Sequence, residues 1–63
     1  MNVDAALNQI ARHGFIDRAG LRPRTAIALI RRGFETFQLP SGSLVLAAPA
    51  KGRNTAGWKL VTL

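Results

Sequence analysis

Arg22, Arg24, Arg31 and Arg32 crowd one stretch, Gly20-Leu21-Arg22-Pro23-Arg24-Thr25-Ala26-Ile27-Ala28-Leu29-Ile30-Arg31-Arg32-Gly33. A guanidinium stays charged and donates two parallel hydrogen bonds from a planar fork. That fork matches a phosphate or the edge of a guanine. With Arg12, Arg18 and Arg53, arginine makes up seven of the nine basic residues; Lys51 and Lys59 are the others. Only three acidic residues oppose them, which leaves a net charge of +6. This imbalance predicts a polyanionic partner, double-stranded DNA first and an acidic protein surface second.

Other chemistries lack their residues. The absence of cysteine removes a thiol nucleophile, a disulfide frame and a thiolate zinc site. His13 is the one histidine, and Asp4, Asp17 and Glu35 are the only carboxylates. Their spacing forms neither a metal ligand set nor a Ser-His-Asp relay. Pro40-Ser41-Gly42-Ser43 is too short for a phosphate-cradling loop and has no lysine. The chain therefore reads as a non-enzyme without cofactor or metal, and His13 as a residue that caps a helix end.

The arginine stretch has the punctuation of a helix over residues 23–32. Pro23 suits the first helical position, because its φ is preset and its missing N–H is not needed there. Arg31 and Arg32 meet the negative end of the helix dipole, and Gly33 supplies a left-handed residue just beyond it. Ala26, Leu29 and Ile30 share one face, at i, i+3 and i+4, and are expected to be buried. Upstream, residues 15–21 are expected to form a short helix turning at Gly20, with the apolar spacing of a helix-turn-helix.

A first helix is predicted over residues 2–13. Val3, Leu7, Ile10 and Ala11 recur on one face, Asn2 is its N-cap and Gly14 its end. It is expected to pack across the next two helical segments as a small trihelical core. After Gly33 the period shortens to two. Strands are expected over residues 34–39, 44–48 and 58–63, with a turn at Pro40–Ser43 and a polar loop over residues 50–57. The apolar strand 44–48 is expected to be central, and Trp58, Phe34 and Phe37 to be core residues. The sum is one α+β domain over residues 1–63, with two to three short N-terminal helices and then a three-stranded antiparallel meander.

Six residues of the central stretch carry a resemblance. Gly20, Leu21, Arg24, Thr25, Ile30 and Gly33 fall in a pattern similar to the winged helix-turn-helix of excisionase-like and MerR-like proteins of phages and mobile elements. It covers about half the chain. The resemblance implies a small DNA-binding regulator or recombination accessory factor. Arg22, Arg24, Thr25, Ile27, Ala28, Arg31 and Arg32 would then face DNA from the recognition helix. Lys51 and Arg53 would lie on a wing, with Lys59 beside it. Ile27 and Ala28 can touch thymine methyl groups but cannot tell purines apart by hydrogen bonding.

That apolar face keeps a second reading open: a small inhibitor or adaptor that binds an acidic host protein. It also suggests a homodimer, since a chain of 63 residues buries little core alone. The longest apolar run, residues 44–50, contains Pro49 and is far short of a bilayer span. The N-terminus has no basic region of the signal-peptide kind. A cytoplasmic protein without a membrane partner is the expectation.

Overall fold

A computed structural model describes residues 1–62. Helix α1 (Val3–His13) opens the chain, followed by strand β1 (Phe15–Asp17), a single 3-10 turn (Arg18–Gly20) and helix α2 (Pro23–Arg31). Strands β2 (Glu35–Gln38) and β3 (Leu44–Ala47), a short helix α3 (Pro49–Arg53) and strand β4 (Lys59–Leu60) complete it. The four strands form one antiparallel sheet in the order β1-β3-β2-β4. The class is α+β, as the sequence predicts, but the sheet has four strands rather than a meander of three.

Both long helices begin and end where their punctuation predicts. Asn2 Oδ1 accepts the Ala5 N–H at 2.8 Å, and Gly14 takes φ 85° at the far end of α1. On α2, Pro23 stands at the first position and Gly33 takes φ 103°. The Gly33 N–H then donates to the Ile30 carbonyl and the Phe34 N–H to the Leu29 carbonyl, at 3.0 and 3.2 Å. These paired bonds are a Schellman closure, and Phe34 packs against the core that contains Leu29.

Residues 15–21 form no α-helix. Gly14 turns the chain out of α1, and Phe15, Ile16 and Asp17 pair with Ala47, Leu46 and Val45. Three residues are too few for periodicity to separate strand from helix, and the partner strand lies about thirty residues away. Asp17 then caps the 3-10 turn by accepting the Ala19 N–H at 2.9 Å. A helix-turn-helix with two α-helices is therefore absent from the described residues. One 3-10 turn stands where its first helix was expected, and no trihelical core exists.

Side chains alternate across the sheet, so its two faces have separate cores. Ile16 and Leu46 join Ala6, Ile10, Ala26 and Leu29 beneath α1 and α2. Phe37, Val45 and Ala47 cover the opposite face with Phe15, Leu39 and Trp58. α3 closes this second face: buried Gly52 sits on the Phe37 ring, where any Cβ would clash. β3 is interior, as expected of the most apolar strand.

Three further expectations fail. The polar loop over residues 50–57 is helical at its start, because Pro49 both stops β3 and opens α3. The final strand shrinks to Lys59–Leu60, and Leu63 lies outside the described residues. Ile30 is not core. It is 42% exposed, on the flank of α2.

Candidate nucleic-acid interface

α2 buries Thr25, Ala26 and Leu29. With 3.6 residues per turn, that leaves Arg24, Ile27, Ala28 and Arg31 along its outer side. Arg24 and Arg31, two turns apart, fall on one stripe about 10 Å apart along the axis. Both are exposed, as are Arg22 before the helix and Arg32 at its end. Ile27, 49% exposed, stands between the two arginines, and Ala28 is half-buried beside it.

The electrostatics of this ridge are one-sided. Among the described residues the one ion pair joins Arg53 of α3 to Glu35 of β2, at 3.7 Å. Arg22, Arg24, Arg31 and Arg32 thus have no carboxylate partner among the described residues. The first turn of α2 also lacks a side-chain cap, since Arg22 in the N-cap position offers no acceptor. Unsatisfied amide groups and the positive end of the helix dipole therefore add to the arginine charge at that end.

The remaining predicted contacts divide. Thr25 is removed from the surface: it is 7% exposed, and its hydroxyl donates to the Met1 carbonyl at 3.3 Å. Lys51 and Arg53 belong to α3, on the sheet face opposite α2, so they form no wing beside the ridge. Lys51 instead lies over Gly14, its Cε 2.9 Å from where a Cβ would stand. There its charge meets the negative end of α1. Arg53 is engaged with Glu35. The β2–β3 turn, residues 39–43, carries no basic side chain. Lys59 pairs with Gln38, two residues from Thr36, and so lies on the face that α2 covers.

Arg18 is a further basic residue beside the ridge. Arg18 leaves the 3-10 turn and its Nη1 donates to Thr36 Oγ1 on β2 at 3.0 Å, tying the turn to the sheet. A local pattern holds no sign of a bond across eighteen positions of sequence. Trp58 stands edge-on to Phe15, ring centres 5.5 Å apart, on the α3 side, where it packs with the second core.

No helix among the described residues is long and apolar enough to cross a membrane. Comparison with known protein families, characterised proteins and solved structures finds no match to this chain.

Proposed function

We propose that this protein binds double-stranded DNA, with the outer ridge of α2 in the major groove. The observation that carries this reading is the pairing of Arg24 and Arg31 on one exposed stripe without a carboxylate partner among the described residues. Arg22, Arg32 and Lys59 extend the same positive side. Ile27 is the one large apolar group on the ridge, suited to a thymine methyl.

Contacts of this kind are mostly to phosphate. They give affinity and orientation, with weak discrimination among bases. The role that follows is a small regulator or accessory factor that coats or positions DNA through the ridge of α2 alone, without the paired helix and wing of the excisionase-like pattern. Binding to a random-sequence duplex, measured across salt concentrations, tests it. Five basic residues predict a slope of log affinity on log salt of about −4.5. Affinity that ignores salt, or that survives Arg24→Ala with Arg31→Ala unchanged, overturns it.

A further inference from the structure

β4 ends the sheet, and its outer edge is unpaired among the described residues. Phe37 stands opposite Leu60, Gln38 opposite Lys59, and the Val61 N–H donates to the Thr36 carbonyl at 2.9 Å. Backbone groups alternate sides along a strand. Lys59 and Val61 therefore address β2, whereas the N–H and C=O of Leu60 point away from the sheet. Such an edge is a template for one more strand.

Apolar groups flank that position. Leu60, 52% exposed, shares the face of Phe37. Val61, next along the strand, belongs to the α2 face with Thr36. Ile30, Phe34, Thr36, Leu60 and Val61 line a groove of about 230 Å³. Ile30 and Leu60 are two of the large apolar side chains the fold leaves most exposed, and both border this groove.

Charge selects the occupant. A second copy would bring its own +6 against the first. Glu35, the one carboxylate lining the groove, is held by Arg53. Lys59 beside Leu60 and Arg31 beside Ile30 have no carboxylate partner among the described residues. A nucleic acid has no amide ladder to offer Leu60. We propose that the β4 edge takes up an extended protein segment with an apolar centre and acidic flanks, which adds as a fifth strand. Its amides pair with Leu60, its centre fills the groove, and its carboxylates meet Lys59 and Arg31.

The test is an NMR titration of the isotope-labelled protein with a short peptide, a valine triplet flanked by glutamates. Shifts are expected at Ile30, Phe34, Leu60 and Val61, with slower exchange of the Leu60 N–H. The same peptide with lysine flanks should not bind. Leu60→Pro deletes the outward N–H without touching a sheet bond and should weaken binding about tenfold. Ile30→Glu, at an exposed position, should keep the fold and weaken binding similarly, so the proposal stays testable if Leu60→Pro unfolds. Equal binding of the lysine peptide, or shifts confined to the arginines of α2, overturns the proposal. So does protection of Leu60 that appears with rising protein concentration alone, which assigns the edge to a second copy. None of these outcomes bears on the salt dependence of DNA binding.

Discussion

Gly52 of α3 lies flat against the ring of Phe37 on β2, so closely that even a methyl group at Gly52 would occupy the ring's own space. Both residues are buried, and Phe37 is 1% exposed. Gly52 is a poor helix former in a five-residue helix. The contact explains it: α3 can reach the sheet only where it has no side chain. Gly52→Ala should therefore destabilise by about 2 kcal/mol through overpacking, despite the better helix propensity of alanine. The melting temperature should fall by roughly 10 °C. Phe37→Leu in the Gly52→Ala background should recover part of that loss, and thermal melts of the cycle would measure the coupling.

Gly33 invites the opposite kind of test. Nothing stands within 4 Å of a Cβ built there, so space is not the obstacle. Its φ of 103° is, because L side chains rarely adopt it. Gly33→Ala should cost about 1 kcal/mol, as strain alone. Urea unfolding should show a lower midpoint with an unchanged slope.

The two basic helices should separate cleanly in DNA binding. Removing both Arg24 and Arg31 should flatten the salt slope by about 1.8, at about 0.9 per phosphate contact. Lys51→Ala with Arg53→Ala should leave the slope unchanged, because α3 covers the other face of the sheet. Fluorescence anisotropy of a labelled duplex over a salt series measures both.

Thr25 offers a sharper check of the helix's orientation. Its hydroxyl bonds the Met1 carbonyl beneath α2 rather than facing outward. Thr25→Val should leave duplex affinity unchanged, at a stability cost of about 1 kcal/mol for the lost hydrogen bond. A clear loss of affinity with the fold intact would show α2 to be turned differently toward DNA.

Trp58 should be silent to nucleic acid. It packs edge-on against Phe15 and at 6.1 Å from Phe37, on the face away from α2. Its emission should not change as a duplex binds. Trp58→Ala should destabilise by about 3 kcal/mol, read from chemical denaturation by circular dichroism.

What the chain's local chemistry determined is the set of features that need only near neighbours. Asn2 and Gly14 bound α1, Pro23 and Gly33 bound α2, and the net charge of +6 is a plain sum over the residues. Each is a relation within a few residues, or a sum over all of them. Tertiary structure decided everything that depends on a distant partner. Phe15–Asp17 is a strand because Val45–Ala47 waits about thirty residues on, and Arg18 reaches Thr36 eighteen residues away. Thr25 and Ile30 exchanged their expected places because the tilt of α2 on the sheet, not the helical period, chooses which flank is covered. Lys51 and Arg53 left the expected interface for a like reason. Pro49 launches α3 over the far face of the sheet, and only the packing of Gly52 on Phe37 tells which face that is.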